Sequence, residues 1–502
     1  MKRNVLNAAI AAGLFAVAGM GGSAKAVELS PDGAGQVLIY PYYTVNREQQ
    51  TIVTVVNGTN VAKAVRVRFL EGYNAREVLD FNLFLSEYDV WTATVFALTD
   101  AGLAGDGAAV TTTDRSCTAP DKAAWSGSLG TGRYYQDFLS FAYTGPHQDT
   151  GPTDIARTRE GYVEIVQMAD LGGALRTAVT HTAGVPANCS VVQTIDPANP
   201  ELLPPTGGLF GAGGIVNVAL GTFYTYNADA ISDFSKVVLY ADPAAPTSTP
   251  SLAQANTAPG VATAYVFNAD GAQFRSDYPA SRRPSQAIDA VSAVFMASTL
   301  LNEYNVDPLV GSNTDWVVTF PTKRFYVDPE ILGVPLGSAG ALPPFTFTFG
   351  QSSAANGDGR SCSQVALLPF DRESGRPTGS LPGFPLPTLT PVLCTSVNVI
   401  SMRNSATPLV ESAVLGSRLH TNLRPYSAGG WLRLTLDTAA QPHALRASSD
   451  GDVYNGLPAT GFQAVNYVSE NIVPGLLSNH GGAFRHRAVR ACRNAVSGGN
   501  CL

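Results

Sequence analysis

The stretch TIVTVVNGTNVAKAVRVRFLEGYNAREVLDFNLFLSEYDVWTATVFA, Thr51 to Ala97, carries the clearest strand pattern in the chain. Val65, Val67 and Phe69 alternate with Ala64, Arg66 and Arg68, and Leu79, Phe81, Leu83 and Leu85 alternate with Asp80, Asn82 and Phe84. A period of two sends one set of side chains to a buried face and the other to water. Asn57-Gly58 with Asn60, and then Glu71-Gly72-Tyr73-Asn74, punctuate the runs as turns. The reading is four antiparallel strands, half of a β-sandwich, with Arg66 and Arg68 facing solvent. Trp91 is expected in the core, because large aromatic rings dominate burial.

Over residues 36–98 this cadence resembles an immunoglobulin-like module. The chain lacks the Cys…Trp…Cys signature of that family, so the resemblance implies a sandwich and no particular partner. Just upstream, Gln36 to Val45 forms another strand containing Tyr40-Pro41-Tyr42-Tyr43. Pro41 has no N–H, which marks an edge strand or a bulge. Tyr40, Tyr42 and Tyr43 are the candidate binding surface, with rings able to stack on a sugar or a protein partner. The plainer reading of the same rings is packing at a sandwich edge.

The N-terminus has the three parts of a secretory signal. Lys2 and Arg3 supply charge, Val5 to Met20 is apolar, and Ala24-Lys25-Ala26 is a small-residue cleavage site. The apolar run is shorter than the roughly 20 residues of a membrane span. Cleavage after Ala26 removes three cations and no acid, moving the formal charge from −7 to −10. An acidic chain argues against nucleic acid as a partner. In an exported chain the six cysteines read as disulfides. Local grouping favours Cys117–Cys189, Cys362–Cys394 and Cys492–Cys501. By loop entropy alone the first stabilises the fold by about 4 kcal/mol. A bridge from Cys362 to Cys394 joins the starts of two strands, which suggests a crossing between sheets rather than a simple hairpin.

Charged residues make up 14% of the chain and hydrophobic ones 45%, with 49 Gly and 33 Pro. That mixture suits short strands joined by turns and excludes a disordered chain. The expected organisation is a mainly β, multi-domain protein with little helix. Residues 1–26 are the signal, 27–110 an N-terminal β-sandwich and 111–205 a loop-rich, disulfide-bonded insertion. Residues 206–335 form a β-rich middle region, and 336–502 a C-terminal β domain. Within these, Gly161 to Met168 is a strand with Glu164 pointing to water, and Ser285 to Asn305 is the best helix candidate, capped by Ser285. Strands are also expected at Lys236 to Tyr240 and around Phe345, Phe347 and Phe349. In the C-terminal region Leu432, Leu434 and Leu436 alternate with Trp431, Arg433 and Thr435. No internal repeat of fixed period is present.

Catalytic motifs are largely missing: there is no G-x-S-x-G, H-E-x-x-H, S-x-x-K or P-loop. His480 and His486 are the closest pair of histidines, without an acid nearby in sequence, and read as a polar turn rather than a metal site. The loops Gly357-Asp358-Gly359 and Ser448 to Asp452 have acids able to face Ca²⁺ but not EF-hand spacing. Asn57-Gly58-Thr59 matches a glycosylation sequon inside a turn. No cofactor or metal is expected.

The style of the chain resembles exported proteins of Gram-negative bacteria, which implies a compartment and no activity. The expected function is a secreted or cell-surface structural or binding protein, adhesion-like and without catalysis. Its partner would be a cell-surface component, a glycan or another protein, and the mature chain would have no integral membrane span. A secreted hydrolase or carbohydrate-active enzyme is the alternative, and a periplasmic assembly factor the second.

Overall fold

The computed structural model describes residues 26–243, 249–267, 273–279, 286–351, 359–373, 375, 391–405, 407–473, 476–499 and 501. Residues 1–25, where the signal is expected, lie outside that set, as do Ser285, Asp358 and residues 376–390. Strand accounts for 45% of the structure and helix for 13%, so the protein is mainly β, with several antiparallel sheets.

The first unit contains β1 (Val37–Thr44), β2 (Gln49–Asn57), β3 (Lys63–Glu71), β4 (Glu77–Leu85), β5 (Val90–Ala97), β6 (Ala108–Thr112), β7 (Glu160–Leu171), β8 (Leu209–Asn217), β9 (Thr222–Asn227) and β10 (Asp229–Ser232). An eight-stranded sheet runs Glu28–Leu29, β10, β1, β7, β3, β4, Cys117–Ala119, with Leu202–Leu203 also paired to β7. A seven-stranded sheet runs β9, β8, β2, β5, β6, Tyr134–Asp137, Gly127–Ser128. Leu38, Val67, Phe69 and Phe81 of the first sheet share one core with Val53, Val55, Trp91 and Val95 of the second.

The strands of Thr51–Ala97 are therefore not half of one sheet. β3 and β4 pair with each other, β2 pairs with β5, and the two pairs sit in opposite sheets. Asn57-Gly58 carries the chain between sheets rather than closing a hairpin. Its geometry is held by the Asn57 side chain, which donates to the carbonyls of Val61 (2.8 Å) and Ser86 (2.7 Å). Buried and bonded this way, Asn57 cannot carry a glycan in the folded protein.

β7 lies between β1 and β3, β8 pairs back onto β2 and carries β9 on its other edge, and β10 pairs onto β1. Residues 111–205 are thus woven into the first unit, whose sheets close only at Ser232. The 36–98 segment is not a module by itself, because every sheet it enters needs strands from beyond residue 160.

The second unit is built on β11 (Thr299–Asn305), β12 (Ser312–Thr319), β13 (Ala366–Asp371), β14 (Val397–Met402), β15 (Gly429–Thr435), β16 (Thr460–Val473) and β17 (Leu476–Arg485). One sheet runs β13, β15, β11, Arg487–Val489, and another runs His420–Leu423, β14, β12, β16, β17. β11 and β12 pair with strands after residue 365, so a boundary at 335 does not hold. The helix predicted over 285–305 is confined to Ala287–Phe295. Beyond it the β-branched and polar residues from Thr299 enter a sheet. Lys236 to Tyr240 is irregular, as is the Phe345 to Phe349 stretch, although Phe345 and Phe349 still reach the core. Three disulfides join Cys117–Cys189, Cys362–Cys394 and Cys492–Cys501. Cys362 and Cys394 flank a short antiparallel pair, Ser363 opposite Leu393. That places the two cysteines face to face without the inter-sheet crossing expected from the sequence.

The outer face of the eight-stranded sheet packs on the second unit, and this decides the fate of its polar residues. Val37, Ile39, Val166 and Ile231 join the helix Ala287–Phe295 in a second core. All residues of β1, β3 and β7 are consequently buried. No helix among the described residues is long and apolar enough to cross a membrane.

Candidate binding groove

The tyrosines singled out from sequence do not form a surface. Tyr40, Tyr42 and Tyr43 are fully buried. Their hydroxyls donate to Thr54 O (2.6 Å), Glu160 Oε2 (3.0 Å) and Thr158 O (3.0 Å). Pro41 lies at a bulge, where the β1–β7 register shifts between Gly161 and Val163, and β1 is interior rather than an edge. The correction has a simple cause: both faces of β1 are covered.

The charged residues expected in water are buried as well. Arg68 Nε meets Glu77 at 2.7 Å and its Nη1 meets Glu164 at 2.8 Å. Arg66 pairs with Asp80. Further along the sheet Arg157 bonds Glu71 and Asp149, and Arg76 reaches across to Asp328 (3.0 Å) and Glu330 (2.6 Å) of the second unit. Burial pushes Glu77 up to about 7, with Arg68 opposing it, and raises Glu164 and Glu160. Glu160 accepts from Tyr42, Ser417 Oγ (2.6 Å) and Arg418 N (2.8 Å). These carboxyls cross-link the fold and are closed to a substrate.

The remaining sequence candidates are also structural. His486 is buried, with Nε2 2.9 Å from Val317 O and Nδ1 3.2 Å from Asn302 Nδ2. Burial lowers it to about 4, so it is neutral, donating from Nε2 and accepting at Nδ1. It packs on Trp316, ring to ring at 4.7 Å. Asp452 accepts from Ser276 Oγ (2.9 Å) and Asn494 Nδ2 (3.0 Å). It stands beside Cys492 and Cys501, whose sulfurs are spent in their disulfide. A Ser86–His181–Asp89 cluster also occurs, but Ser86 Oγ (2.9 Å) and Asp89 Oδ2 (3.5 Å) both approach Nδ1. A relay needs the two on opposite ring nitrogens.

A different region is open. Where the two sheets of the second unit meet, a groove of about 670 Å³ is lined by residues of β11, β13-to-turn, β15, β16 and β17. Strand register sets Phe370, Trp431 and Glu303 in one row across three strands. The Trp431 ring lies flat on Phe370, centroids 4.0 Å apart and planes 4° apart. A Cβ at Gly430 would run into the Phe370 carbonyl, so glycine there lets β13 approach β15 closely beside the stacked rings. Trp431 is 37% exposed and Phe484, opposite Gln463 on the neighbouring sheet, is 56% exposed. Tyr304 and Tyr467 complete the aromatic lining.

The same lining carries residues with planar polar groups: Asn305 and Gln463, Arg372 and Arg487, and Glu303 and Asp371. The Asp371 carboxylate also accepts the backbone N–H of Glu373 (2.9 Å) and Gly375 (2.6 Å), which fixes the turn that presents Arg372. Asn302 ties the seam, donating to Phe484 O at 2.9 Å. Aromatic faces flanked by amides, carboxylates and forked guanidinium groups can hold a ring with one apolar face and a hydroxylated rim.

Comparison of the chain with family models, curated proteins and solved structures gave no match. No motif in the sequence marks these residues as a site, although one sign is present: Trp431 alternates with buried leucines and so falls on the face otherwise occupied by Arg433 and Thr435.

Proposed function

We propose that this chain is a secreted or cell-surface binding protein that holds a saccharide in the groove beside Trp431. The observation that carries the reading is the row Phe370–Trp431–Glu303, a half-exposed indole seated on a second ring with polar groups beside it. The C–H face of a sugar would lie on Trp431 and Phe484. Its hydroxyls would bond Gln463, Asn305, Glu303 and Arg487. Export is supported by the three-part N-terminal sequence, with cleavage after Ala26, and by three disulfides in the fold.

Affinity electrophoresis through gels containing soluble polysaccharides tests the reading. Wild-type protein should be retarded by at least one of them, and Trp431→Ala should be retarded markedly less. Equal retardation of the two proteins would remove the groove as the site. Saccharide turnover abolished by Glu303→Gln, with the fold intact, would replace binding with hydrolysis.

A further inference from the structure

On another side of the second unit a pocket of about 370 Å³ opens between the N-terminal segment and the seam strands. Leu29, Val266, Phe267 and Val294 give it apolar walls, while Arg485 and Arg490 supply its charge. Among the described residues that line it, none is acidic.

Arg490 stands apart from the other arginines of the interior. Arg66, Arg68, Arg76 and Arg157 each meet a carboxylate directly. The one side-chain bond of Arg490 among the described residues is from Nη2 to Val294 O at 3.3 Å, and its Nε is buried without a partner. The Asp229 carboxylate is near enough to favour the charge on Arg490, but its direct bonds go to Arg485, at 2.5 Å, and to Thr460. Burial and the neighbouring Arg485 both disfavour the charge on Arg490. A cation withdrawn from water without a direct ion pair is costly, and an anion supplied by a ligand offsets that cost.

We infer that this pocket binds a small amphipathic carboxylic acid, with its carboxylate on the Arg490 guanidinium and its hydrocarbon part against Leu29, Val266 and Val294. The site is separate from the saccharide groove. The volume is within the range of small-molecule sites, and the combination of apolar walls with a forked cation selects for a carboxylate over a neutral head group.

Calorimetric titration of the full chain with octanoate and with 1-octanol, both below their aggregation limits, tests the assignment. Octanoate should bind saturably and at least about tenfold more tightly than octanol. Arg490→Gln should erase that preference, while Trp431→Ala should bind octanoate as wild type does, even where it has lost saccharide. If Arg490→Gln does not fold, the octanoate-to-octanol ratio in wild type still decides. Absence of saturable octanoate binding, or octanol binding as tightly as octanoate, would overturn the proposal.

Discussion

The polar face of β3 and the polar face of β15 look alike on paper and end in opposite surroundings. β3 places Arg66 and Arg68 between buried valines, and β15 places Trp431 and Arg433 between buried leucines. The second unit covers the first face, so its charges are buried and paired with Asp80, Glu77 and Glu164. Nothing among the described residues covers the second, and Trp431 remains half in water. Alternation states which residues share a face. It does not state whether that face is wet.

The largest expected effect comes from breaking the covered face. Arg68→Met should destabilise by roughly 3–5 kcal/mol, because it strands Glu77 and Glu164 as buried, unpaired acids. Arg433→Met, at the matching place on β15, should stay within about 0.5 kcal/mol. Urea denaturation of the two variants checks the contrast. Similar losses would mean that the two faces are equally buried.

Acid should separate the regions next. His486 has a folded pKa of about 4, below the ordinary 6.5. Between these values the unfolded chain takes up a proton that the native chain refuses. Stability present above about pH 6.5 is therefore lost as pH falls towards 4, by up to roughly 3 kcal/mol. Glu77 has the opposite sign. Raised from 4.5 to about 7, it binds its proton in the native state first, so its contribution is full below 4.5 and declines as pH rises to 7. His486→Gln should flatten the acid loss reported by Trp316 fluorescence, since that ring packs on His486. An unchanged acid midpoint in the variant would exclude His486 as the cause.

A smaller effect is expected at the groove. Trp431→Ala should weaken saccharide binding by about 1–2 kcal/mol while shifting the melting temperature little, as befits a half-exposed contact residue. The smallest effect sharpens the same comparison at Tyr42. Tyr42→Phe removes one bond to Glu160, should cost about 1 kcal/mol of stability, and should leave saccharide affinity unaltered. A binding defect in Tyr42→Phe would return the tyrosines to the contact surface.

Much of the strand content was legible locally. β3, β4, β7 and β15 follow from alternation, and the three local cysteine pairs match the bridges formed. The failures share one origin. Glu164, Arg66 and Tyr42 were misplaced because their surroundings come from residues 236–243, 321–330 and 412–418, far away in sequence. The groove was invisible for the same reason: Trp431, Glu303, Phe370 and Phe484 come from four separate strands.

By itself, then, the sequence determined that this chain is built of strands, which side chains alternate on each, and an N-terminal pattern of export with cysteines grouped for local bridging. Those are short-range properties, set by backbone sterics and the two-residue period. Only the tertiary structure decided that β3 and β4 part from β2 and β5, that two units share their cores, and which polar face stays open. Burial depends on what packs on top of a face, and that partner is chosen by long-range contacts that no local pattern encodes.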